Sequence, residues 1–457
     1  MTDGPTPSES SAELSSQAPA AKRKARSVIW KVLLIGALIL MMLIPLALIA
    51  SIIDERKNTR DKVVDEIAQT WAGEQRLTGP VLVAPYLSTI ASKDDKGRKK
   101  TQSIRKLAYL LPEQYEVRAH LMPQVRYRSI YQSVVYRSQI EIQGRFNPRA
   151  LDELRLPPNS VLWSQAFVTL GIPSVKGLET RPDLQWRGKA VEFLPGVNGA
   201  DFAGGGLYAP VAVSADAGDM PFKATLSLKG SQSFWMSPIG KQSRLIVTGD
   251  WPSPSFVGDT LPTTRAVKGK TFQASWEIPY FARSYGQAFT LSGNMEVFLY
   301  NSNVGVRLLT PIDAYRQADR AVKYGVLFLA LTFSTYFLFE VVCKRRIHPL
   351  QYLLIGLALT LFYLLLIAGS EVIHFGWAYL IASVAIIALI TLYSKAILGA
   401  SKREAPLIIG GLLTALYAYL YILLRLEDWS LLFGALGLLA ALAAIMFVTR
   451  HIDWYNE

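Results

Sequence analysis

Side chains that could do chemistry are scarce in this 457-residue chain: its histidines are His120, His348, His374 and His451, and its one cysteine is Cys343. They fall far apart, in segments of different character, so clustered metal ligation by His and Cys is not expected. There is no P-loop, dinucleotide fingerprint, H-E-x-x-H pair or G-x-S-x-G elbow. A Ser-His-Asp arrangement in the long polar middle of the chain would have to use His120, the only histidine there. These observations weigh against an enzyme, and no catalytic residue, metal site or cofactor is expected. What remains is a polar group, Glu371, His374 and Arg425 with Glu427 and Asp428, spaced to gather at one rim of a set of apolar segments.

Those segments dictate the architecture. One apolar run, residues 28–53, precedes about 265 mostly polar residues, and five more follow at about 322–342, 349–369, 375–393, 406–424 and 430–449. Each is long enough to cross about 30 Å of hydrocarbon at about 1.5 Å per helical residue. The expected fold is a membrane α-helical bundle of six transmembrane helices, with a large β-rich (α+β) domain inserted between the first and second spans. Its parts are a disordered N-terminal tail at 1–27, the first transmembrane helix at 28–53, the β-rich domain with helical stalks at 54–320, the five-helix bundle at 321–449 and a C-terminal tail at 450–457. The first run exceeds the apolar core of a signal peptide, and no small-residue cleavage site precedes Asp54-Glu55-Arg56-Lys57, so it stays as an anchor.

Orientation follows from the cations. Lys22, Arg23, Lys24, Arg26 and Lys31 flank the first span, Lys344-Arg345-Arg346 follow the second, and Lys395, Lys402 and Arg403 follow the fourth, whereas residues 370–374 have no Lys or Arg. By the positive-inside rule both termini face the cytoplasm and the large domain lies outside. The mid-bundle holds no ionisable group of the kind an ion-coupled carrier keeps there. Glu340 sits near a span end, one turn before Lys344, where an i,i+4 pair is the ordinary reading. Cys343 reads as a small residue at a helix end, with palmitoylation as the alternative.

Within the outer segment, apolar positions from Ile53 to Trp71 recur at helical spacing, which predicts that the first membrane helix continues as a stalk. Thr310-Pro311-Ile312-Asp313 reads as the start of a second, unbroken helix reaching Val342. Two such stalks could transmit movement or merely hold the domain. Between them, Val81–Pro85, Ser133–Phe146, Lys223–Lys229 and Phe272–Glu277 read as strands, which points to a sandwich or similar two-layer domain. Its Lys and Arg exceed its acids by about nine over residues 54–320. The densest run, Lys93 to Lys100, reads as a solvated loop, with attraction to an anionic membrane surface or glycan as the alternative. Membrane lipids are expected partners; nucleic acid is not, because the predicted compartment excludes it. Small residues four apart, Gly411 and Ala415, Gly437 and Ala441, Ala440 and Ala444, suit close helix packing within the chain or across a homodimer.

Several stretches resemble one known family. They are Gly249-Asp250-Trp251-Pro252-Ser253-Pro254-Ser255-Phe256 with Leu261-Pro262; Asp319-Arg320-Ala321 with Lys323-Tyr324 and Leu331-Thr332-Phe333; His348-Pro349-Leu350-Gln351-Tyr352-Leu353-Leu354 with Phe362-Tyr363-Leu364-Leu365-Leu366; and Ile452-Asp453-Trp454-Tyr455. Together they resemble the CreD family of bacterial inner-membrane proteins, from Ile29 to Tyr455. The resemblance implies a multi-pass protein of the inner (plasma) membrane with its large domain in the periplasm, involved in cell-envelope integrity and stress response. It implies no agreed biochemical activity. The expectation is a non-enzymatic protein whose periplasmic domain recognises an envelope component, protein or glycan; the alternative is a lipid- or glycan-handling protein whose domain shields an apolar ligand. In the family Ser-Glu is followed directly by His, whereas here Val372-Ile373 separate Glu371 from His374, so no role for a Glu-His pair is carried over. Trp251, Pro252, Pro254 and Phe256 form a candidate recognition loop, against a structural reading in which the prolines fix φ and the aromatics anchor the loop.

Overall fold

The computed structural model describes residues 18–93, 99–200, 204–214, 217–290, 299–309, 314–343, 347–398, 404–426 and 429–450. The Thr310–Asp313 helix start, the Lys344-Arg345-Arg346 cluster, Lys402, Arg403, Glu427, Asp428, His451 and most of the Lys93–Lys100 run lie outside these residues. Two compact units emerge, Met1–Thr59 with Ile312–Glu457, and Arg60–Pro311.

Alternating burial shapes the second unit into two sheets. Met220–Ser231 reads buried-exposed over most of its length, the period-2 signature of a strand with one face in a core. The strand lies in an eight-stranded sheet, ordered Thr264–Lys268, Thr271–Pro279, Gln242–Gly249, Gln114–Arg128, Tyr131–Phe146, Met220–Ser231, Asp183–Trp186, Lys189–Glu192. A nine-stranded sheet is built around the long strand Gln75–Lys93, which pairs with Lys99–Leu110, Phe167–Gly171 and, in parallel, Ser233–Met236. Val81, Leu82 and Val83 from one sheet and Val117, Ile142 and Trp276 from the other share one buried core. The four strands read from alternation all fall inside observed strands.

Helix α1 (Ala18–Thr70) is continuous, so residues 18–27, placed in the tail by composition, are helical. Its outer end stops in a left-handed cap: Ala72 and Gly73 have φ of 78° and 70°, and the Gly73 N–H reaches back to the Ala68 carbonyl at 2.6 Å. Trp71 follows directly. Its Nε1–H donates to the Tyr136 carbonyl at 3.2 Å, and Arg126 and Lys229 lie 5.0 and 5.4 Å from its ring. Two cation–π contacts to an indole that is also hydrogen-bonded fix the helix end to the eight-stranded sheet.

In the first unit α1 is joined by α2 (Ala314–Lys323), α3 (Gly325–Cys343), α4 (Pro349–Ser370), α5 (Phe375–Leu398), α6 (Glu404–Arg425) and α7 (Ser430–Thr449). Among the described residues, α1, α4, α5 and α6 are long and apolar enough to cross a membrane, and α2 with α3 makes a fifth if the pair counts as one span. That pair corrects the expected unbroken helix: it bends by 42° at Tyr324. Gly325 sits at the bend, where a Cβ would come within 3.0 Å of Leu46 and 3.3 Å of the Tyr363 hydroxyl, so close approach of α1 and α4 selects glycine and the helix breaks there. Gly437 is similar, since a Cβ would meet the Tyr419 ring of α6; it serves packing within the chain, whereas Gly411 faces open space.

His348 is the N-cap of α4. Its Nδ1 accepts from the Leu350 N–H, its own N–H donates to Gln351, and Pro349 occupies the first helical position. The Glu340–Lys344 pair expected from the sequence lies outside the described residues. The buried carboxylate of Glu340 is bound by Lys31 of α1, by the Ile347 N–H at 3.2 Å and by the Tyr352 hydroxyl at 3.2 Å. One cation from 309 residues away and two donors from the next turn and helix thus close on one acid.

Candidate functional site

Three places were singled out by residue type or emerge from the sheet geometry. The first is the loop 251–256. Trp251 is only 9% exposed, and its indole N–H donates to the Leu309 carbonyl at 2.8 Å. Pro254 opens an edge strand, Pro254–Gly258, that pairs with Val304–Leu308, a position where the missing N–H costs no ladder bond. Phe256 is half-buried, with the rings of Phe272 and Trp276 each 6.2 Å away. Only Pro252 is exposed among the four candidates. Trp251 and Phe256 therefore anchor the loop, and Trp251→Phe, which keeps an aromatic ring but deletes the donor and part of the buried volume, should cost about 1–3 kcal/mol in denaturant unfolding. An unchanged midpoint would remove the anchor role.

The second place is the polar rim. Glu371 caps the end of α4; its carboxylate accepts from the Tyr315 hydroxyl at 3.1 Å and lies 3.8 Å from Arg56 Nε. His374 precedes α5 and accepts the Gly376 N–H on Nδ1 at 3.2 Å. Arg425, at the end of α6, donates through Nε and Nη2 to the Tyr421 hydroxyl at 3.2 and 2.8 Å. His374 and Arg425 border one cavity of about 530 Å³ between α5 and α6; Glu371 is not part of its lining. The candidate trio is thus divided, two residues at the cavity and one in an ion-pair cluster.

The third place is the solvent face of the eight-stranded sheet, which was not legible without strand order. Cross-strand register sets Gln273, Thr248, His120, Gln139 and Ser227 in one row over five adjacent strands. A second row, two residues along each strand, holds Ser275, Ile246, Arg118, Glu141 and Thr225. Most of these side chains line a trough of about 790 Å³. His120 Nδ1 lies 2.9 Å from Thr248 Oγ1, inside the row. The Glu116 carboxylate, 2.5 Å from Arg118 Nε, raises that guanidinium above its ordinary pKa by hydrogen bonding and charge. Beneath the sheet, burial pushes the Tyr115 phenol up, and its hydroxyl donates to the Gly79 carbonyl at 2.7 Å. The trough offers amides, hydroxyls and paired charges on a rigid floor, a surface suited to hydrogen-bonding a polar ligand laid across the strands. Among the described residues no group of three or more His, Cys, Asp or Glu could hold a metal ion.

Comparison with known proteins bears on the whole chain. It is 34% identical over 433 residues to the inner membrane protein CreD of Escherichia coli (strain K12), with 93% of each chain covered. Among solved structures, native yeast LTA4 hydrolase is similar over 48% of this chain and 35% of that one, with a TM-score of 0.20 and 9% identity, a likeness that carries no argument. The family described as Inner membrane protein CreD matches residues 27–455. That span takes in the apolar helices, both sheets and the motifs picked out by eye, and the chain belongs to this CreD family of inner membrane proteins.

Proposed function

We propose that this is a non-enzymatic protein of cell-envelope integrity and stress response, whose β-rich domain recognises a polar envelope component across the outer face of its eight-stranded sheet. The observation that carries the reading is the register row from Gln273 to Ser227, five hydrogen-bonding side chains on five strands with no intervening apolar residue. In this reading six spans, at the boundaries read from the apolar runs, place both termini in the cytoplasm and the domain in the periplasm, as the cation distribution favours. Envelope function is supported by family membership. The alternative, a domain that shields an apolar ligand, is not favoured: the core is filled by side chains from both sheets, and the trough is lined by Gln, Thr, His and Arg.

The test is photo-cross-linking in cells from Gln139 and Thr225, with Lys270 as a control position away from the trough. A glycan or protein adduct specific to the trough positions is expected. Replacing the row neighbours Gln273 and Ser227 by Ala should lower its yield about three- to tenfold per hydrogen bond lost. Equal adducts at all three positions would sink the proposal.

A further inference from the structure

The cavity between α5 and α6 has two unlike parts. Toward the His374 and Arg425 end it is polar; along the helices it is bordered by Leu380, Val384, Ile387 and Ala418. Three hydroxyls that border it are bonded to backbone: Ser383 donates to the Leu380 carbonyl at 3.0 Å, Thr414 to Gly410 at 2.8 Å and Tyr379 to Tyr417 at 2.6 Å. With those hydroxyls bonded to backbone, this part of the groove presents mainly methyl groups and ring faces, which accept hydrocarbon without stranding these polar groups.

The mouth has the opposite character. Tyr421 accepts from Arg425 through Nε and Nη2, which orients the guanidinium and leaves the Nη1 edge to donate. His374 Nδ1 accepts from the Gly376 N–H, so the proton of a neutral ring resides on Nε2, a second donor at the same mouth. The acid nearest in sequence to His374, Glu371, is engaged by Tyr315 and Arg56. Trp377, 63% exposed, borders the same end, and exposed indoles are enriched at the headgroup level of a bilayer. A volume of about 530 Å³ falls within the roughly 300–1,000 Å³ of ordinary ligand sites.

We infer that this groove is a binding site for one anionic phospholipid: Arg425 and His374 hold the headgroup phosphate, and one acyl chain lies between α5 and α6. Charge complementarity selects the occupant: among the described residues the lining holds no acid, and a guanidinium with an imidazole N–H favours a lipid of net negative charge over a zwitterion whose own cation would crowd Arg425. The inference is independent of the function proposed for the β-rich domain, and the two are tested on different residues.

Native mass spectrometry of the full-length protein, with phosphatidylglycerol and phosphatidylcholine supplied in equal amounts, tests it. The wild type should retain phosphatidylglycerol about five- to tenfold over phosphatidylcholine. Arg425→Gln should bring that ratio close to one, while Arg425→Lys keeps part of it. Ala418→Phe, which fills the groove from an exposed position and leaves the mouth intact, should lower retention of both lipids, and it carries the test if Arg425→Gln does not fold. Equal retention by the wild type, an unchanged ratio in Arg425→Gln or unchanged retention in Ala418→Phe would overturn the inference. So would displacement of phosphatidylglycerol by inorganic phosphate at matched concentration, which would assign the mouth to a free anion.

Discussion

Glu340→Ala should destabilise the bundle by about 3–5 kcal/mol, read as a shift in the SDS- or heat-induced unfolding midpoint of the purified protein. The carboxylate is 6% exposed and is shared by the Lys31 ammonium, the Ile347 N–H and the Tyr352 hydroxyl. Its removal strands two buried donors as well as opening a cavity. Lys31 is 37% exposed and can turn toward water, so it contributes less of the loss. Lys31→Met should therefore cost less than Glu340→Ala, because the acid keeps its two hydrogen bonds. Glu340→Gln preserves an acceptor and the volume and should fall between wild type and Ala. If Glu340→Ala and Lys31→Met cost the same, the ion pair alone would account for the cluster and the hydrogen bonds would be secondary.

The second large effect lies in the β-rich unit. Trp276 is fully buried, donates from Nε1 to the Thr260 carbonyl at 3.0 Å and stands against Phe256. Trp276→Ala should cost about 3–5 kcal/mol, from lost burial, the cavity left behind and an unpaired carbonyl. Phe256→Ala, at a half-buried position, should cost about half as much. The pair also decides the standing of the loop. If Phe256 is chiefly an anchor, its loss of stability and any loss of function should track together, as they would for Trp276. Full stability with lost function in Phe256→Ala would return the loop to recognition. Chemical unfolding monitored by tryptophan fluorescence at the remaining indoles measures both.

How far the chain could be read in advance varied with the range of the interactions. Strands such as Met220–Ser231 and Thr271–Pro279 announce themselves because period-2 burial is a local property. The register row at His120 could not be read, because it depends on Gln242–Gly249 pairing in parallel with Gln114–Arg128, a neighbour relation that no local pattern encodes. Glu340 shows the same limit: its contact with Lys31, 309 residues away, is encoded in no local pattern. His348 and His374 carried a signal that was available and went unused, each standing immediately before a helix and capping it through Nδ1. The bend at Tyr324 was hidden for a different reason. Gly325 alone does not break a helix, and its role appears only once Leu46 and Tyr363 crowd it.

The Lys31–Glu340 contact also sets an order of events in biosynthesis. At about 5–20 residues per second, a chain 309 residues further on emerges roughly 15–60 s later. Throughout that interval α1 must reside in the bilayer as a solitary anchor with Lys31 unpaired, while strands that need no later helix collapse into their sheets. The first helix made thus receives its partner only when α3 is delivered, and the bundle should assemble after the strands of the β-rich unit have had time to pair. Chains halted before Ala314 should accordingly carry a protease-resistant β-rich domain on a single, loosely held helix.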